Sequence, residues 1–229
     1  MLGVLGGLGP LASAKFMESI YLRAPFDNEA KAPRVVMVSD PAFPDRTTAL
    51  LRGQSEELRV RTEGCLRQLV ELGAERIIIC CFTLHAIVPQ LAAGLRSRVA
   101  SLPDLALREV LAAPSSSPTL MLCTTGARAA HVFDGEALWP QVADRIIQLS
   151  EPDQARFHEL IYSLKRKLPP EQALESIRAL CRDYGASSWI AGCTELHLVS
   201  NWMLHNAVEL DVIDPLLTVT NLLATGELP

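Results

Sequence analysis

No run of about 18 apolar residues goes uninterrupted by charge, so this 229-residue sequence predicts no helix able to span a bilayer. A basic leader is missing as well. The apolar start, MLGVLGGLGPLASAKF, carries glycines that suit a strand-loop-helix entry better than a signal peptide, which makes the cytoplasm the expected location. Positive charge is not in excess: a net charge of −5 argues against a nucleic-acid groove or an anionic membrane surface as partner. Among six cysteines there is no CxxC pair, and Cys80 and Cys81 would point to opposite sides of a strand, so no metal site is expected. Disulfides are not expected either. With 49% apolar residues the chain has ample core without staples, and a reducing cytosol would not keep them.

What the sequence does contain is alternation. Short β-type runs fall at Leu2–Leu5, Arg34–Val38, Arg76–Cys80, Thr119–Cys123 and Trp189–Ala191, with a further candidate at Val208–Ile213. Between them lie helical patterns. One uses Leu58, Cys65, Leu66, Leu69 and Leu72 and stops at Gly73; another uses Leu174, Ile177, Leu180, Cys181 and Tyr184 and stops at Gly185. Such an order predicts parallel sheets covered by helices, an α/β fold. A Pro- and Ser-rich stretch, Ala113–Pro118, marks a surface loop near the middle. Cys65 and Cys181 sit on apolar helix stripes, and Cys80 and Cys123 read as small buried hydrophobes. Cys81 and Cys193 remain.

The two halves overlay. Gly73–His85 reads GAERIIICCFTLH and Gly185–His197 reads GASSWIAGCTELH, identical at six of thirteen positions at a constant offset of 112 residues. Each segment leaves an amphipathic helix at Gly and becomes a buried strand running to a Cys. Duplication is the preferred account. It predicts two α/β lobes about a pseudo-twofold axis, 1–112 plus 208–229 and 113–207, with the site in the cleft at their strand ends. Cys81 and Cys193 would then face each other across one bound molecule. Inversion of a carbon centre needs a base on one face and an acid on the other, and two such thiols can exchange those roles. Thr83 and Thr194 place hydroxyl donors beside them. A single Cys acting as a nucleophile with His85 or His197, each four residues further on, is the competing reading. The opening loop, Gly6-Gly7-Leu8-Gly9-Pro10, allows close backbone approach to an anion. A dinucleotide is one candidate ligand, although Asp40 is poorly placed as a ribose partner; a small carboxylate fits as well and demands less.

Gly6–Pro10, Pro44-Asp45-Arg46-Thr47, Cys81-Phe82-Thr83 and Gly192-Cys193-Thr194-Glu195 together resemble the aspartate/glutamate racemase family, nearer its aspartate branch. The resemblance implies a cofactor-independent isomerase that uses no pyridoxal phosphate. It also implies an amino-acid substrate, aspartate or glutamate first, two lobes with the site between them, and a homodimer. By the same resemblance Cys81 and Cys193 are the paired acid and base, supported by His85 and Glu195. Substrate contacts fall to Gly7, Leu8, Gly9, Arg46, Phe82, Thr83, Thr124, Lys165 and Thr194. One departure stands out: the family carries Asn where this sequence has Phe82, at the substrate's amino-acid head. A diacid isomerase or decarboxylase on the same fold, or a binding protein for small carboxylates, are the alternative functions.

Overall fold

The computed structural model describes residues 1–23, 29–114, 118–209 and 211–226. One sheet contains β1 (Leu2–Gly6), β2 (Val35–Ser39) and β3 (Arg76–Ile79) in the order β2-β1-β3, all parallel. The other contains β4 (Thr119–Cys123), β5 (Ile146–Gln148), β6 (Ser188–Gly192) and β7 (Val212–Ile213) in the order β5-β4-β6-β7, again parallel. The arrangement is repeated. In each sheet the first strand is central, the second pairs on one side of it and the third on the other. The third strands, β3 and β6, are the ones that lead into Cys81 and Cys193.

Helices α1 (Pro10–Arg23), α2 (Arg46–Leu51), α3 (Ser55–Glu71), α4 (Ala93–Arg96) and α5 (Leu102–Ala112) precede β4. After it come α6 (Thr125–Ala129), α7 (Glu151–Lys165), α8 (Pro170–Tyr184), α9 (Leu196–His205) and α10 (Pro215–Thr225). Local chemistry sets their ends. Pro10 starts α1, where its missing N–H costs nothing. Asp45, Ser101, Ser150 and Asp214 cap α2, α5, α7 and α10 by accepting a backbone N–H. Gly185 caps α8 in the left-handed region at φ 64°.

Strand alternation sorts the core into three layers. Val4, Ile78, Met121, Cys123 and Ile190 point into a central layer shared by both sheets, together with α1, α5 and α10. Leu5, Ile77 and Ile79 pack under α3 on the outer side of the first sheet. Leu120, Leu122, Trp189 and Ala191 pack under α7, α8 and α9 on the outer side of the second. Because the two sheets share one core, the ends of β3 and β6 are held in a fixed relation.

Two differences from the sequence reading follow. β5 was not anticipated, since three residues are too few to show a period of two. The run Val208–Ile213 shortens to Val212–Ile213, which pairs with β6. These residues therefore join the second sheet, not the first lobe, whereas α10 packs on α1 and α5. Of the loop 113–118, residues 115–117 lie outside the described residues.

Candidate active site

Cys81 lies two residues past β3 in extended geometry, φ −166°, and caps the 3-10 segment Phe82–Gln90. Cys193 follows β6 and leads into α9. Both are 6% exposed. All six cysteines are unpaired thiols. Burial pushes Cys123 up to about 12 and Cys181 to about 11, as befits thiols that serve only as core.

The two candidate thiols differ in their partners. Arg46, first residue of α2, stands beside Cys81. Burial works to lower the Arg46 guanidinium, but the electrostatic attraction of Cys81 and a hydrogen bond that Arg46 donates to its sulfur, with Asp45 and Glu195 behind, hold it above its ordinary value. Its other contacts are the carbonyls of Leu8 and Pro44, and its Nε is buried without a partner among the described residues. Cys193 instead meets a carboxylate: its Sγ donates to Glu195 Oε2 at 2.8 Å. Burial first, and then Glu195, push this thiol well above its usual range, with Lys165 opposing. Glu195 Oε1 has no hydrogen bond among the described residues, and Lys165 Nζ stands 4.0 Å from it.

A cavity of about 320 Å³ opens over this arrangement, lined by Gly7, Leu8, Gly9, Arg46, Lys165 and Glu195 among others. Two glycines are required by close approach. A side chain at Gly7, φ 87°, would strike the Asp40 backbone at 2.4 Å, and one at Gly9 would lie 2.1 Å from Glu195 Oε1. Hydrogen bonds also join the two halves. Thr194 Oγ1 donates to the Cys80 carbonyl at 3.3 Å, Thr83 and Thr124 share a hydrogen bond of 2.8 Å, and Tyr162 donates to Asp45 at 2.5 Å. The immediate neighbours of the two thiols are thus bonded to each other.

The sequence profile of the Asp/Glu/hydantoin racemase family matches residues 5–223. The chain belongs to that family. It is an isomerase of the kind that works without pyridoxal phosphate. Its fold is similar to that of the aspartate racemase of Picrophilus torridus, with a TM-score of 0.78 at 21% identity, over 98% of this chain and 94% of that one. An aspartate racemase homologue from Pyrococcus horikoshii OT3 matches at TM-score 0.64 and 17% identity, over 98% of both chains. A glutamate racemase from Campylobacter jejuni matches at 0.61 and 14%, over 98% of this chain and 85% of that one.

Several racemase-type assignments need correcting in detail. Gly7 is not a free donor, since its N–H goes to Ser13 Oγ at 3.0 Å. Phe82 does not reach the cavity: it is 2% exposed and stacks on Phe133 in the shared core, ring centroids 5.5 Å apart. A large apolar ring gains more from that burial than from a polar cleft. Thr83, Thr124 and Thr194 are buried in the cross-lobe bonds already described, because a buried hydroxyl takes the acceptor within reach. His85 touches the Cys81 carbonyl through Nδ1 at 3.0 Å and accepts from the Leu102 N–H at 3.3 Å. Burial lowers it to about 4, so it stays neutral. His197 turns to Asp214 at 2.7 Å. Neither ring bonds a thiol, so the Cys–His nucleophile loses its geometric support. Asp40 is taken by Arg61 at 2.8 Å, which removes the ribose partner that a dinucleotide would need.

Two participants escaped the sequence reading. Asp45 caps the helix that begins with Arg46, and Tyr162 carries Lys165 over its ring at 4.5 Å. Their signals were available: Asp45 precedes Arg46 directly, and Tyr162 lies three residues before Lys165 on one helix face.

Proposed function

We propose that this racemase inverts the α-carbon of an acidic amino acid, aspartate or glutamate, by proton exchange between Cys81 and Cys193. The observation that carries the reading is the pair of buried, unpaired thiols at equivalent strand ends, one beside a guanidinium and the other beside a carboxylate. Cys81 as thiolate removes the α-proton from one face, while the Cys193 thiol donates to the other; the opposite hand uses them in reverse. Arg46 grips a substrate carboxylate, and its unpartnered Nε supports that role. Lys165 supplies the second positive charge, and the amides of Leu8 and Gly9 the backbone donors. Exclusion of water and these fixed charges stabilise the carbanion as it forms.

Six unpaired thiols favour a reducing compartment, so we place the enzyme in the cytoplasm, with a homodimer as its assembly. We divide the chain into two lobes, 1–112 and 113–213, with α10 packed on α1 and α5 of the first.

Proton NMR in deuterium oxide tests the reaction, using reduced protein, both hands of aspartate and glutamate, and no added cofactor. Loss of the α-proton signal with appearance of the enantiomer on chiral chromatography is the expected result. Folded, reduced protein that exchanges no α-proton would overturn the reading. Conversion of a diacid without α-exchange would replace it with isomerase or decarboxylase chemistry.

A further inference from the structure

Glu195 is an odd residue to bury. It is 3% exposed; one carboxylate oxygen is bonded to a thiol, and the other has no hydrogen bond among the described residues. The fold makes room for it, since any residue larger than glycine at position 9 would collide with Oε1. An isolated buried carboxylate is costly, so it stays only where something holds it or needs it. Charged and titratable groups facing it are Cys193, Lys165, Arg46 and Cys80; Cys193 also faces Lys165 and Tyr162. The first lobe has no counterpart. At the offset of 112 residues the partner of Glu195 is Thr83, which bonds Thr124 and carries no charge.

We infer that Glu195 is the positioning residue that keeps the Cys193 proton in place, so that the free enzyme rests in one handed form, with Cys81 as base and Cys193 as acid. The inference rests on the two-thiol reading of the site. In the forward turn the Cys81 thiolate takes the α-proton and becomes a thiol. Cys193 gives its own proton to the opposite face of the carbon and becomes a thiolate. That thiolate then lies against the Glu195 carboxylate, and their repulsion drives proton uptake from water at Cys193 while Cys81 releases its proton, which restores the starting form. Because the two hands have equal energy, kcat/KM must be the same in both directions; the asymmetry shows in kcat and KM taken separately.

The test is carbamidomethylation with iodoacetamide across a range of pH, read for each cysteine by peptide mass spectrometry. In the unaltered chain at neutral pH, Cys81 should be labelled well ahead of Cys193; labelling of Cys193 as fast as Cys81, or faster, overturns the inference. In Glu195→Gln, the Cys193 midpoint should move to lower pH, with a rise of about tenfold or more in its neutral-pH labelling rate. Glu195→Asp should restore the original midpoint in part. An unmoved midpoint in a Glu195→Gln protein of unchanged melting temperature overturns the inference, and the order of labelling in the unaltered chain decides it if that variant fails to fold. A shifted midpoint in a protein that inverts no amino acid would sink the proposed reaction and leave this role of Glu195 standing. Racemisation with an unmoved midpoint would do the reverse.

Discussion

The two halves of this racemase deliver a thiol to the same place and then treat it in opposite ways. Cys81 and Cys193 end equivalent strands, yet Arg46 stands against the first and Glu195 against the second. The residue two places beyond each thiol marks the divergence: a neutral Thr83 that bonds across to Thr124, and an acidic Glu195 that bonds the thiol itself. The residue one place beyond diverges too. Phe82 goes to the shared core, while Thr194 reaches across to the Cys80 carbonyl. The repeated strand order thus supplies a matching frame, and single side chains make its two sides chemically distinct. Inverting a carbon centre needs both properties. In the proposed reaction the thiols approach from opposite faces, and at any moment one is a base and the other an acid.

Removing either thiol is the strongest way to break this comparison. Cys81→Ala and Cys193→Ala should each lower inversion by about 10³-fold, the scale of a lost general acid or base. Each should still wash solvent deuterium into the α-carbon of one hand, and the two variants should choose opposite hands. Full inversion by either single variant would end the two-thiol account.

Acid should separate the halves next, because His85 and His197, four residues past their thiols, are held differently. His85 bonds only backbone and is lowered by burial to about 4, whereas His197 is paired with Asp214. A histidine with a depressed folded value binds more protons when unfolded, so stability falls as pH drops from about 6.5 towards about 4. The total is on the order of 3 kcal/mol. Thermal unfolding followed across that window should show the decline, and His85→Gln should flatten it. An unchanged slope in that variant would mean that another group carries the acid sensitivity.

The smallest effect should come from one of the contacts that join the halves. Tyr162→Phe removes the hydrogen bond to Asp45, worth about 1 kcal/mol, without touching a thiol. It frees Asp45 beside Arg46 and loosens the helix that carries Lys165. KM should rise severalfold with kcat nearly unchanged, which steady-state kinetics with both hands would read. A fall in kcat alone would mean that Tyr162 takes part in the chemistry.

The fold was legible to the degree that its signals were local. The helix-Gly-strand-Cys order repeated at 112 residues announced both lobes and both thiols, because periodicity and left-handed glycines act within a few residues. β5 escaped for the same reason, being too short to show a period. The site was legible only in part. Gly7, Leu8, Gly9, Arg46, Lys165 and Glu195 line one cavity, but Phe82, read from its position beside Cys81, lies in the core. Which way a side chain turns depends on the element packed against it, and Phe133 lies 51 residues away in the other half.

By itself, then, the sequence determined a duplicated α/β frame, its family and the two cysteines, all of which follow from the order and spacing of residue types. Only the tertiary structure decided that the thiols have partners of opposite charge, that Glu195 occupies the space left by Gly9, and that the threonines bond across the lobes. Those outcomes depend on burial and distance between residues far apart in the chain, where removal of water makes each charge and each unpaired hydrogen bond count.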